Sequence, residues 1–229
     1  METQRKPSFE VQRAITLVKI DGKVYNATPI GPKNWHNLRN AEYGQGFRQG
    51  SFGENVGLVH AAYMNQDSQE AQAIVCASRK SFITGNTAIL YTPQTIFVQD
   101  SPQVTNRQIV MDAQTLESKI GKKTIQGVTF SDDGSVRAIP YDFAKEWQTS
   151  EQMRKNPFAI ALTGDENAPE KIAEMQDVTQ KKGYVWALGK GTQNEIRVPG
   201  VDGFDYRVFL GGDRWYEFLG DGYSFGVQQ

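Results

Sequence analysis

The sequence predicts an α+β protein: a single domain over residues 1–229, with a mixed β-sheet built from hairpins and one β-α-β unit and with helices packed on it. Three kinds of observation support this class. Pairs of β-prone segments are joined by short turn sequences, one succession of segments is typical of a β-α-β unit, and several segments have helical periodicity. Because 38% of the 229 residues are hydrophobic, the chain has enough apolar material for a substantial core.

Turn sequences between β-prone runs predict antiparallel hairpins. The first hairpin joins "TLVKI" to "KVYNA" through Asp21-Gly22, a pair typical of tight two-residue turns. A second pair, "NTAILYT" and "TIFVQD", is connected by Pro93-Gln94. In the third, "GVTFSDDGSVRAIPYDF", the strands flank Asp132-Asp133-Gly134. These three stretches are expected to supply much of the sheet.

Helices are predicted over residues 54–80, 112–120 and 167–182. The first range contains two amphipathic stretches, "GENVGLVHAAYMNQ" and "DSQEAQAIVCASRK". Asp112 precedes the second range as an N-cap, and Asn167 followed by Pro169 marks the start of the third. We expect these helices to cover the sheet.

The most regular unit lies between residues 157 and 188. An apolar run, "PFAIALTG", is followed by the amphipathic "DENAPEKIAEMQDVTQKKG" and a second apolar run, "YVWALG". This order predicts strand, helix and strand. As an alternative to one domain, the chain divides at a sub-boundary near residues 148–156, just before this unit.

Composition excludes several functional classes. Lys and Arg total 25 and Asp and Glu total 26, a net charge of -1, so no global field attracts nucleic acid or an anionic membrane, although a local basic patch remains compatible with this balance. Cys76 is the only cysteine, which excludes an intrachain disulfide and a thiolate zinc site and fits a reducing compartment. No apolar run reaches about 20 residues. We expect a cytoplasmic protein without a membrane partner.

Four blocks together resemble a group of uncharacterised microbial, mostly archaeal, proteins. The blocks are "GNTAILYTPQTIFVQDSP", "SDDGSVRAIPYDF", "KNPFAIALTGDENAPEKIAE" and the terminal "FGV". The resemblance covers roughly residues 50–227. That family has no established activity, so the resemblance implies one co-inherited unit in a cytoplasmic prokaryotic setting and transfers no catalytic residue.

A glycine-rich stretch, "AEYGQGFRQGSFGENVG" at residues 41–57, is the first candidate site. A dinucleotide site requires a buried strand before such a loop, and a P-loop requires a lysine followed by serine or threonine; this stretch has neither. An anion would meet Arg48 and the amides at the helix start near Glu54. The alternative is a turn-rich connector with no ligand.

The loop "TGDENAPE" is the second candidate. If a strand precedes it, Thr163, Gly164, Asp165 and Glu166 lie at the carboxyl end of that strand, where ligands bind in open α/β sheets. Two carboxylates there favour a cation, a sugar hydroxyl or a basic group. The alternative is that the two acids only stabilise the positive end of the following helix.

Two further sets of residues are interpreted as structural. Asp132 and Asp133 have the composition that a turn alone selects, and calcium-loop spacing is missing. A dyad of Cys76 with His60 would need an exposed thiolate, but "AIVCAS" predicts a buried cysteine. No serine lies in a nucleophile-elbow pattern.

The aromatic tail is the last candidate. Trp215 and Tyr216, with neighbouring aromatics and Arg207 and Arg214, have the composition of a surface that stacks bases or sugars or anchors a partner chain. Half-buried strands explain the same alternation. Interleaved acids argue against nucleic acid; they are Asp202, Asp205, Asp213 and Asp221.

Without a convergent nucleophile, metal set or cofactor signature, the sequence favours a non-catalytic binding or protein-interaction protein with no cofactor and no metal. Its expected partner is a small ligand or a second copy of the chain. One alternative is a hydrolase or small-molecule-modifying enzyme that uses the carboxylates of the 163–166 loop. Another is a homo-oligomeric structural protein that assembles through the aromatic C-terminal segment.

Overall fold

The computed structural model describes residues 10–12, 16–203, 206–214, 220 and 222–229. In this part of the chain, helices pack on mixed and antiparallel sheets, so the predicted α+β class is confirmed. The helices are α1 (Trp35–Arg39), α2 (Phe52–Met64), α3 (Gln69–Lys80), α4 (Ala113–Lys119), α5 (Ser150–Met153), α6 (Pro157–Thr163) and α7 (Ala168–Thr179).

The strands of the described residues number sixteen. They are β1 (Glu10–Gln12), β2 (Leu17–Ile20), β3 (Lys23–Lys33), β4 (Phe47–Gln49), β5 (Thr87–Tyr91), β6 (Ile96–Asp100), β7 (Gln103–Thr105), β8 (Gln108–Val110), β9 (Ile120–Ile125), β10 (Val128–Ser131), β11 (Val136–Ile139), β12 (Glu146–Gln148), β13 (Lys182–Trp186), β14 (Glu195–Asp202), β15 (Arg207–Arg214) and β16 (Gly222–Gln228).

Two main sheets organise these strands. The smaller one has the order β1-β2-β3-β16-β4, and every neighbouring pair in it is antiparallel. In the larger one the order is β12-β13-β15-β14-β5-β6-β11-β10-β9. Among its described pairs, β13 and β15 alone run parallel, which makes this sheet mixed, as predicted. The β7–β8 pair stands apart.

The three predicted hairpins are present as β2–β3, β5–β6 and β10–β11. In the first, Asp21 and Gly22 both have positive φ, 48° and 84°. This conformation gives a two-residue turn the twist that suits the flanking strands, which is why the Asp-Gly pair was informative.

The predicted range 54–80 divides into α2 and α3, because the chain leaves the helical conformation at Asn65 and Ser68 caps a new helix. Helices α4 and α7 lie within the other two predicted ranges. Cys76 was expected to be buried, and this prediction is wrong. The buried residues of α3 include Ile74, and a position two residues further along a helix lies about 200° around its axis, on the solvent side.

Residues 157–164 form a helix, α6, so the predicted first strand of the β-α-β unit is wrong. Asn156 caps α6 by accepting a hydrogen bond from the Phe158 amide, Pro157 occupies the first turn, and Gly164 ends the helix in the left-handed conformation. Six of the seven helical residues are buried. A short segment buried on every side has no periodicity that separates helix from strand.

The core lies between the helices and the two main sheets. Helix α2 contacts α3, α6 and α7, and its buried side chains join the same cluster as those of α6 and α7. Ile83 bridges β14 and β16, so the two main sheets meet at this residue. Residues 148–156 contain the end of β12 and α5, and the sub-boundary proposed there stays a prediction. None of the helices in the described ranges is long and apolar enough to span a membrane.

Candidate functional site

A cavity of about 700 Å³ lies where five segments distant in sequence meet. Its walls come from the β2–β3 hairpin, the segment from β4 to the first turns of α2, the end of β6, the β10–β11 turn, and the loop and helix from Thr163 to Lys171. Most of the lining side chains are polar or charged. The chain therefore carries a polar cleft at the junction of its smaller sheet, its helices and one part of its larger sheet.

Glu54 stands at the wall formed by α2. Its carboxylate accepts a hydrogen bond from the Ser51 amide at 2.8 Å, and the Ser51 hydroxyl accepts one from the Glu54 amide at 3.2 Å, which completes a capping box. Arg48 donates to both carboxylate oxygens, at 2.8 and 2.9 Å, and the Lys23 ammonium lies at 3.0 Å. Burial raises the pKa of Glu54, but these donors outweigh it and lower the pKa to about 2.

Arg137 and Asp100 form the second charged group of the cavity. The Arg137 side chain is fully buried, and its guanidinium donates to both Asp100 carboxylate oxygens and to the carbonyl oxygens of Ala161 and Leu162 at the end of α6. Asp100 also accepts the Thr87 hydroxyl at 2.6 Å. These bonds tie β11 and the end of β6 to the last turn of α6.

The 163–166 loop contributes a third pair. Asp165 accepts the Lys171 ammonium at 2.8 Å and the Asn167 amide at 2.9 Å, one on each carboxylate oxygen. The Thr163 hydroxyl donates to the Ala159 carbonyl within α6. Thr163, Gly164 and Asp165 line the cavity, whereas Glu166 is not among the lining residues.

Asp133 lines the cavity from the β10–β11 turn. It accepts hydrogen bonds from the Ser131 hydroxyl at 2.7 Å and from the Ser135 amide and hydroxyl at 3.0 and 2.8 Å. These bonds lower the pKa of Asp133 to about 2. They agree with the interpretation of this sequence as turn chemistry.

The charges of the cavity nearly balance. Its cations are Lys23, Arg48, Arg137 and Lys171, and its carboxylates are Asp21, Glu54, Asp100, Asp133 and Asp165. Every one of the four cations contacts a carboxylate of the same cavity. The interior therefore offers many fixed donors and acceptors but no concentrated charge of one sign.

The structure brings together two sites that the sequence treated separately. Arg48, from the glycine-rich stretch, and Thr163, Gly164 and Asp165, from the later loop, line one cavity. The two segments can approach closely because Gly53 has no side chain; a Cβ at this position would overlap the Thr163 carbonyl oxygen. Trp215 and Tyr216, the aromatic candidates, lie outside the described residues.

Sequence reasoning assigned Asp21 only to a turn and missed four further charged residues of the cavity: Lys23, Asp100, Arg137 and Lys171. For one of them a signal existed, because Arg137 is the charged residue of an otherwise apolar strand, "VRAI". A long cation in such a strand, when buried, requires a carboxylate or carbonyl partner. The other three lack any comparable signal.

His60 was considered with Cys76 as a dyad, but its Nε2 lies 2.6 Å from the Glu174 carboxylate of α7, while Cys76 is exposed on α3. Burial lowers the pKa of His60, although Glu174 opposes this effect. Among the residues that the structure describes, no group of three or more His, Cys, Asp or Glu side chains is placed to hold a metal ion.

Comparison with known proteins gives a likeness of fold. No protein-family model and no curated protein matches the chain. A solved structure from a study of the accommodation of massive sequence variation in Nanoarchaeota by the C-type lectin fold is similar, with a TM-score of 0.53 and 14% sequence identity. The match covers 90% of this chain and 98% of that one.

The protein is thus an α+β protein whose fold resembles the C-type lectin fold and which contains a polar, charge-balanced cavity. The archaeal source of this structural neighbour is consistent with the resemblance expected from the sequence. At 14% identity the likeness concerns the fold alone, and the family assignment stays a prediction.

Proposed function

We propose that the protein is a non-catalytic binding protein whose cavity holds a small, uncharged or zwitterionic ligand rich in hydroxyl or amine groups. The observation that carries this proposal is the pairing of every cation in the cavity with a carboxylate. A strongly anionic or cationic ligand would have to break these pairs, whereas a polar neutral ligand uses the lone pairs and protons that they leave open.

The state of the carboxylates supports binding over acid–base catalysis. A general base works best with a pKa near the operating pH, but the pKa values of Glu54 and Asp133 are lowered to about 2. Both oxygens of Asp165 already accept hydrogen bonds. A scaffold described as accommodating massive sequence variation also suits a binding role, because loops can then change specificity without changing the fold.

The hydrolase alternative keeps one supporting observation: Asp165 lies in a concave cavity with other polar groups. Its test is turnover of a panel of ester, phosphoester and glycoside substrates by the purified protein. We expect no turnover. Activity that disappears in Asp165→Asn, and persists in Glu166→Gln, would replace the binding proposal by the enzymatic one.

Binding is tested by titration calorimetry with monosaccharides, polyols and amino acids, with inorganic phosphate and spermidine as charged comparators. We expect at least one neutral or zwitterionic compound to bind, and Glu54→Gln to weaken it. Glu117→Gln, an exposed position on α4, is the matched control and is expected to bind like the wild type. Preferential binding of phosphate or spermidine would contradict the proposal.

The cytoplasmic location expected from the sequence belongs to this proposal. Cys76 is a free cysteine and is exposed. An unpaired, accessible thiol persists in a reducing compartment. Fluorescence microscopy of the tagged protein in its host tests the location, and a signal confined to the cell surface would contradict it.

A further inference from the structure

A second surface lies on the outer face of β12, β13 and β15, at one edge of the larger sheet. Along β13 the burial alternates, so that Lys182, Tyr184 and Trp186 face outward. Pairing sets Trp147 of β12 opposite Tyr184, and Tyr184 opposite Phe209 of β15. The result is a row of three aromatic side chains that crosses three neighbouring strands. This surface shares no residue with the cavity.

The aromatic row is accessible at its outer end. Trp147 is 52% exposed and Trp186, the next outward residue after Tyr184, is 45% exposed. The Tyr184 ring contacts both of them, with ring centroids 5.0 Å from Trp147 and 5.8 Å from Trp186. Two indole rings are thus held by a shared neighbour, and each leaves much of its surface to solvent.

A pair of cations adjoins this row. Lys182 is opposite Arg207 in the parallel pairing of β13 with β15, one side-chain repeat, about 7 Å, before Tyr184 and Phe209. The Arg207 guanidinium stacks on Tyr184 and Phe209 at 5.4 and 4.7 Å from their ring centroids. Among the ion pairs of the described residues, neither cation has a carboxylate partner, and the buried Nε of Arg207 has no hydrogen-bond acceptor.

We propose that this surface binds a nucleotide, with its base stacked on the exposed indole rings and its phosphate held by Lys182 and Arg207. Planar, π-rich groups stack on tryptophan and tyrosine, and cations with no carboxylate partner attract phosphate. Trp147, in the aromatic row, lies about 7 Å along the strand direction from the cation pair, which is within the reach from base to phosphate of one nucleotide, and Trp186 borders the far side of the base, about 13 Å from Lys182 along β13. The ligand is either a free nucleotide or one unit of a single strand.

Of the four acids that argue against nucleic acid in the sequence, Asp205 and Asp221 lie outside the described residues, and the other two lie on β14 and β15. Asp202, opposite Phe209 in the β14–β15 pairing, is buried at the inner end of the row and lies 3.6 Å from Arg214, so it is neither accessible to a ligand nor beside Lys182. Asp213 lies six residues beyond Arg207 on β15, about 20 Å along the strand, at the opposite end of the face from the cations. A sugar would use the indole rings but would leave the two cations without a counter-charge, so a nucleotide fits both features.

The test measures quenching of tryptophan fluorescence by uridine monophosphate and by a short oligouridylate, with uridine and inorganic phosphate as the partial ligands. We expect saturable binding of both nucleotide forms and at least about tenfold weaker binding of each partial ligand. Trp186→Ala is expected to weaken binding about 5- to 100-fold. Lys182→Gln and Arg207→Gln are expected to weaken it and to flatten its salt dependence.

Val110→Ala and Lys122→Gln, an exposed apolar and an exposed cationic residue elsewhere, are the matched controls and are expected to bind like the wild type. Oligouridylate binding much tighter than the monophosphate assigns the site to single strands, and equal affinities assign it to free nucleotides. Absence of saturable binding, equal affinity for uridine and its monophosphate, or tighter binding of an acidic peptide would overturn the proposal.

Discussion

Arg137 of β11 and Asp100 of β6 are joined by two parallel hydrogen bonds at the wall of the cavity, and the arginine is fully buried. The guanidinium also satisfies carbonyl groups at the end of α6. One side chain therefore links two neighbouring strands of the larger sheet to the helix that leads into the 163–166 loop.

Replacing Arg137 with alanine is expected to destabilise the protein by about 3–5 kcal/mol, because Asp100 and three carbonyl groups would lose this donor. The measurement is urea unfolding at neutral pH. Arg79→Ala, at an exposed position near the end of α3, is the control and is expected to stay within about 1 kcal/mol. Equal losses in the two variants would show that the buried network does not stabilise the fold.

The lowered pKa of Glu54 predicts that the protein loses stability in acid. The pKa of Glu54 is lowered from 4.5 to about 2 in the folded state, so the carboxylate contributes stability above about pH 4.5 that is lost as the pH falls towards 2. Thermal unfolding of the wild type and of Glu54→Gln across this range provides the measurement. We expect the difference between them to be largest near neutral pH and to shrink below pH 4.5. A constant difference would contradict the assignment.

Gly53 and Gly57 lie in the same helix but differ in surroundings. A Cβ on Gly53 would overlap the Thr163 carbonyl oxygen, whereas a Cβ on Gly57 would meet nothing within 4 Å. Gly57→Ala is therefore expected to stabilise the protein by up to about 1 kcal/mol through helix propensity. Gly53→Ala is expected to destabilise it, since α2 and the end of α6 must separate. Chemical denaturation of both variants measures the contrast, and a stabilising Gly53→Ala would contradict the close contact.

The lowered pKa of His60 predicts a second dependence of stability on pH, near neutral pH. Burial lowers its pKa in the folded state, so the unfolded chain takes up a proton first as the pH falls below 6.5, and stability declines. His60→Gln is expected to flatten the stability profile between about pH 7.5 and 5.5. His36→Gln alters the other histidine of the chain and is expected to keep the slope. An unchanged slope in His60→Gln would show that Glu174 compensates fully for burial.

Local chemistry made much of the fold predictable. The Asp21-Gly22 turn, the short connection through Pro93-Gln94 between β5 and β6, and the cap at Asp112 each depend on a few neighbouring residues, so they can be predicted directly from the sequence. The same locality explains the failure at 157–164, where a segment buried on every side lacks periodicity. The prediction that Cys76 is buried failed for a related reason. Its sequence neighbours are apolar, but Cys76 itself lies outside the buried face of α3.

What the sequence determined by itself was the α+β class, the hairpins, most helices and two separate candidate segments, around Arg48 and around Asp165. Only the tertiary structure decided that these segments share one cavity, that Arg137 and Lys171 pair with its carboxylates, and that Trp147, Tyr184 and Phe209 form one row. Turns, caps and periodicity depend on neighbours in the chain. Cavities, buried ion pairs and cross-strand rows depend on contacts between residues far apart in sequence, which one sequence does not reveal.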